Sequence, residues 1–250
     1  MIETSSGRRR PWMAGPGRPW MTYGLIVSCC LIFVLGPASG LNPGYGSGGR
    51  LMEAQSTYFE RWGVVPTALW SGDPDQPLAP LTALFVHGNW LHLLGNMLFL
   101  YVFGAMTEER MGRFQFAVFY LATGYLALLG YAAAHADSAQ SLVGASGAIS
   151  GVLGAFLWLF PRARVTSLFP FLLFLPLRFP AWAVLIFWVA LQWLAARQAD
   201  DRPGVAYLAH LVGFTLGFLY AWARFGRTAR VGGAARPSEA ARPSEGESQP

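Results

Sequence analysis

Six apolar runs almost free of charge dominate this chain, at about residues 20–35, 88–105, 114–134, 143–160, 181–196 and 205–222. A bilayer core of roughly 30 Å takes about 20 residues of helix and offers no water to unpaired backbone groups. Runs of this kind therefore fold as helices in a membrane. Charged residues make up 12% of the chain and hydrophobic ones 54%, where a soluble domain carries about 25% charged. The expected class is all-α: a polytopic membrane protein with six transmembrane helices.

The charges set the topology. All 18 basic residues are Arg. With the N-terminus inside, 14 of them fall on the inner side and four on the outer, which places both termini in the cytoplasm. A pI near 9.6 raises nucleic acid as a partner. The arginines flank the spans, however, and no nucleic-acid module is present, so none is expected. Cys29 and Cys30 are adjacent within the first run and cannot form a disulfide framework.

Residues 1–19 read as a basic, disordered cytoplasmic tail. Residues 20–225 read as the membrane domain, and 226–250 as a low-complexity cytoplasmic tail repeating Ala-Arg-Pro-Ser-Glu. The N-terminal arginines, the first run and Pro37-Ala-Ser-Gly40 also mimic a cleavable signal. With five spans following, the first is read as retained. The long loop 37–86 interleaves aromatic and charged residues over 58–66, which suits the outer membrane interface. Residues 107–113 read as a tight charged loop, and 161–180 as an interfacial or partly buried loop.

This topology brings polar residues to one depth. Runs two, four and six all enter from the outside. His92, Ser146 and His210 lie three to five residues into them, roughly 5–10 Å below each helix start. A histidine within a transmembrane run is a functional-site hypothesis by default. Ser146, in Gly144-Ala-Ser-Gly147, stands where a helix start leaves backbone N–H groups free. Gly147 with Gly151, and Ala209 with Gly213 and Gly217, form small-residue stripes that let two helices approach closely. If the stripes face each other, Ser146 and His210 meet at proton-transfer distance. His92 and Asn96 share a helical face and can both donate to an oxyanion. They can equally serve as polar glue between helices. His87 is assigned a structural role in ordering the loop before run two. No Asp or Glu is read within the spans, so the reading is a Ser-His dyad. No His-Glu-x-x-His or cysteine cluster is present, and no metal is expected. A transporter would show internal repeats or paired broken helices, and neither is apparent.

In order, these motifs resemble the rhomboid family of intramembrane serine proteases over residues about 20 to 225. Gly144-Ala-Ser-Gly147 is similar to the family's Gly-x-Ser-Gly motif, with Ser146 as nucleophile. Ala209-His-Leu-Val-Gly213 through Gly217 is similar to the sixth-helix motif, with His210 as base. His92-x-x-x-Asn96 resembles the oxyanion motif, and Phe103-Gly-Ala-Met-Thr-Glu108 through Gly112 the turn after helix two. The resemblance implies a rhomboid-like six-helix fold, transmembrane protein substrates, no cofactor, and a fifth span acting as a side gate. Some members stack an aromatic residue, one turn after the nucleophile, on the catalytic histidine. Here that position is Ser150, leaving Tyr207 as the candidate for the role. The expected home is a bacterial plasma membrane. Oligomeric state, natural substrate and cut site are not written in the sequence.

Overall fold

The computed structural model describes residues 2–3, 18–72, 76–169, 175–198 and 206–231. Among the described residues six apolar helices form the body: α1 Trp20–Leu35, α3 Trp90–Met111 and α4 Arg113–Ala134, α5 Ser146–Leu159, α6 Ala181–Gln198 and α7 Tyr207–Val231. A further helix, α2 Gly49–Trp62, lies in the long first loop and buries none of its residues. The chain is an integral membrane protein. Helices α3, α4 and α7, the last through Gly226, are long and apolar enough to cross a bilayer by themselves.

Helix α5 is the shortest of these six apolar helices at 14 residues, and its central position explains its length. Ten consecutive residues, Gly147 to Phe156, are buried, so it packs against protein instead of spanning alone. It begins later than the sequence suggested. Gly144 has φ of +128°, a conformation side chains rarely adopt, and the helix starts at Ser146, not at 143.

Glycine brings α5 and α7 together. A Cβ added at Gly217 would lie 1.9 Å from the Gly151 carbonyl oxygen, and one at Gly213 2.2 Å from that of Gly147. The two small-residue stripes therefore face each other backbone to backbone.

The 107–113 segment differs from the loop expected. Residues 107–111 continue α3 as its last turn, and only Gly112, at φ +87°, breaks the chain before α4. The reason is Glu108, which is 2% exposed. Its carboxylate accepts from Met21 N (3.0 Å), Thr22 N (2.7 Å) and Thr22 Oγ1 (2.8 Å). It satisfies free N–H groups at the start of α1, where the helix dipole also favours a negative charge. An acid therefore does lie within a spanning helix, engaged by α1. Glu108→Ala would strand the buried Thr22 groups. It is expected to lower stability by about 3 kcal/mol, read as a reduced melting temperature in detergent, with Glu108→Gln losing less.

Midway, α3 widens into a π-helical turn at Leu100–Gly104, a feature frequent at functional sites. Residues 161–180 contain strands β2 Arg164–Phe169 and β3 Leu175–Pro180, paired antiparallel with Val165 opposite Phe179. Residues 170–174 between them lie outside the described residues. Within the stretch read as a disordered tail, β1 Ile2–Glu3 pairs antiparallel with β2. Residues 4–17, most of the polar loop before α7 (199–205), and the repeats after 231 lie outside the described residues. Helix α7 continues past the expected boundary at 225 to Val231.

Candidate active site

Ser146 opens α5 and His210 lies one turn into α7, so the glycine contact between these helices fixes their separation. Ser146 Oγ stands 2.9 Å from His210 Nε2, within the range for direct proton transfer. The first i→i−4 bond of α5 runs from Ile149 N to Ala145 O (2.9 Å). The N–H groups of Ser146, Gly147 and Ala148 precede it, at the positive end of the helix dipole.

His92 and Asn96 approach from α3. A Cβ added at Gly144 would lie 2.7 Å from His92 Nε2 and 3.8 Å from Asn96 Nδ2, so the strand entering α5 runs along both side chains. Only glycine fits there. The main chain holds the His92 tautomer: Gly88 N donates to His92 Nδ1 at 3.4 Å, which leaves Nε2 as the N–H. Asn89 caps α3 by accepting from His92 N at 2.9 Å. Asn96 Nδ2 is buried without a hydrogen-bond partner among the described residues. A buried donor left unmade is expensive.

His87 is 1% exposed, and its ring meets that of His92 edge-on at 5.3 Å. In the loop ahead of α3, burial and the neighbouring His92 push it down to about 4, so it stays neutral. Its Nδ1 contacts Phe85 O at 3.3 Å. Gly144 N donates to Ala83 O at 2.9 Å, and Val64 and Leu142 exchange two backbone bonds of 2.8 Å. The first loop is thereby pinned to the segment that delivers Ser146.

Two residues against the His210 ring were not legible in the sequence as site residues, and both come from α6. Gln192 Oε1 is 2.7 Å from His210 Nδ1. The Trp188 ring lies 6.0 Å from that of His210 at a tilt of 32°. Tyr207 meets the imidazole edge-on at 6.5 Å and 88° and does not stack on it. Ser150 turns back along its own helix to donate to Ser146 O at 2.7 Å. The signal for Gln192 was present: from 181 to 194 it is the one amide in an otherwise apolar and aromatic run.

A cavity of about 480 Å³ opens onto Ser146 and His210. Asn89, His92, Asn96 and Phe99 line it from α3 and the turn before it, and Trp188 and Gln192 from α6. The arrangement can deprotonate a hydroxyl and surround a developing negative charge with donors, in a site walled by apolar side chains.

Fold and site together define a polytopic helical membrane protein with a Ser–His pair held by its two most closely packed helices. The chain belongs to the rhomboid family: the family model described as Rhomboid domain matches residues 74–227. It is 37% identical over 142 residues to Rhomboid protein 1, mitochondrial, of Saccharomyces cerevisiae, covering 55% of this chain and 39% of that protein. It is 46% identical over 72 residues to Rhomboid-like protein 11, chloroplastic, of Arabidopsis thaliana (29% and 25%). It is 31% identical over 80 residues to the Putative rhomboid protease YdcA of Bacillus subtilis (32% and 39%). The matched segments thus span less than half the length of each of these relatives.

Proposed function

We propose that this protein is an intramembrane serine endopeptidase that cuts transmembrane segments of other proteins near the outer membrane face. The observation that carries the reading is the 2.9 Å contact between Ser146 Oγ and His210 Nε2 at a helix start inside an apolar bundle. His210 takes the Ser146 proton as the oxygen attacks the scissile carbonyl. The backbone N–H of Ser146, with His92 and Asn96, receives the oxyanion. His210 then returns the proton to the leaving amine, and water hydrolyses the acyl-enzyme by the same steps in reverse roles. Gly144 leaves room for the His92 ring. Gly147, Gly213 and Gly217 hold the two helices at contact, and His87 orders the loop behind His92. No cofactor takes part.

Asn96→Ala is expected to lower kcat by roughly 10²–10³ with KM little changed, since one oxyanion donor contributes about 2.7–4 kcal/mol. Steady-state cleavage of a single-span substrate in proteoliposomes checks this.

Substrate enters the cavity between α3 and α6 and must unwind locally, because helical carbonyls are already hydrogen-bonded. Preferred segments carry small or helix-breaking residues near the cut. The arginine distribution supports cytoplasmic termini, with residues 1–19 and 226–250 as tails around the 20–225 domain, in a bacterial plasma membrane. The test is cleavage of a reconstituted single-span substrate beside a version stiffened by Ala/Leu substitution at the cut. Cleavage of the first alone is the expected result. Equal cleavage of both would contradict the unwinding step, and cleavage of neither would favour a binding role.

A further inference from the structure

Among the described residues nothing acidic lies against His210 in the cavity, yet its imidazole is bonded at both nitrogens. Nε2 meets Ser146 Oγ at 2.9 Å and Nδ1 meets Gln192 Oε1 at 2.7 Å. We propose that Gln192 is the positioning residue of this pair, holding the neutral imidazole in the tautomer whose Nε2 accepts the Ser146 proton. The proposal rests on the protease reading.

An amide oxygen only accepts, so Nδ1 must carry the hydrogen in that bond. A neutral imidazole protonated at Nδ1 has a bare Nε2, and a bare Nε2 is what a general base needs. Once Nε2 takes the serine proton, the ring is cationic and its Nδ1–H donates more strongly to the same oxygen. In soluble triads an aspartate does this work, and its exchange for asparagine, which favours the wrong tautomer, drops kcat about 10⁴-fold. Inside a bilayer a carboxylate would need further partners of its own. A neutral amide supplies the acceptor without that penalty.

The placement is independent of the serine. Gln192 belongs to α6 and sits one turn beyond Trp188, whose ring lies along His210. Helix α6 thus meets the imidazole at Nδ1 and with a tilted aromatic ring. An amide in an apolar run is unfavourable unless bonded, and His210 provides the bond. Of the described residues lining the cavity, His92, Tyr207 and His210 are the titratable ones, so none of these lining residues is a carboxylate that competes for Nδ1.

The test compares full-length wild type, Q192M, Q192E and S146A in detergent. It reads the rate of fluorophosphonate labelling, the melting temperature and the ¹⁵N spectrum of labelled histidines, with His210 assigned by its loss in H210N. Methionine keeps the volume and removes the acceptor; glutamate keeps the acceptor. Q192M is expected to label ~10–100-fold more slowly than wild type, less than the ~10⁴ of a charged partner, while melting close to it. Q192E should recover most of the rate. The wild-type spectrum should show His210 protonated at Nδ1, and that of Q192M a mixture of tautomers.

Wild-type labelling that is lost in S146A but unchanged in Q192M would overturn the role of Gln192 alone. So would a Q192E no faster than Q192M, which would mean that packing is what Gln192 supplies. So would a wild-type His210 protonated at Nε2, a result that needs no variant to fold. A wild type that does not label would overturn the protease reading itself, and this role with it.

Discussion

Ser146→Ala and His210→Ala are each expected to abolish cleavage of a reconstituted substrate, by roughly 10⁶-fold, and the double substitution should fall no further. The two groups act on one proton, so removing either leaves nothing for the other to do. Both side chains are half-buried, and neither holds the α5–α7 contact, which is glycine on glycine. The variants should therefore fold and melt near wild type while losing turnover. A His210→Ala enzyme keeping more than a few per cent of wild-type kcat would remove His210 from the base role.

Gly217→Ala should do comparable damage from a distance. Its added methyl would sit 1.9 Å from the Gly151 carbonyl oxygen, and both glycines are buried. A side chain rotation cannot relieve this, so α7 must move away from α5 by an ångström or more. Overpacking of this kind commonly costs about 1–3 kcal/mol, occasionally more. A displacement of that size also opens the 2.9 Å Ser146–His210 contact, and misplacement by 1 Å can cost ~10² in rate. The expected result is a lowered melting temperature together with a kcat reduced at least ~10²-fold. Gly24→Ala, where nothing lies within 4 Å of the added Cβ, should be close to neutral. Equal behaviour of the two would show that the glycine contact does not set the site.

The apolar runs were legible because a bilayer punishes polarity. The first was read at 20–35, where α1 lies, and Ser146 with His210 stood out as polar exceptions at one depth. The end of α3 was not legible. Charged residues at 107–113 look like loop, and what makes Glu108 helical and buried is the start of α1, some 86 residues away. The strands at 164–169 and 175–180 were hidden by Pro170 and Pro176, which made the segment look irregular. The register is visible only once both strands are paired. Gln192 is not legible as an orienting group because carboxylates and aromatics are the usual partners of a catalytic imidazole, and an amide meets the same geometric need without charge. The start of α5 was placed three residues early because hydropathy begins at 143, whereas the backbone at Gly144 does not permit helix.

The most direct test of an activated serine is to treat the detergent-purified protein with a fluorophosphonate and locate the adduct by peptide mass. Ser146 Oγ would displace fluoride from phosphorus as His210 takes its proton. The expected result is a single adduct on the peptide carrying Ser146, absent from both Ser146→Ala and His210→Ala. A folded wild type left unmodified, or an adduct that persists in His210→Ala, would contradict the account.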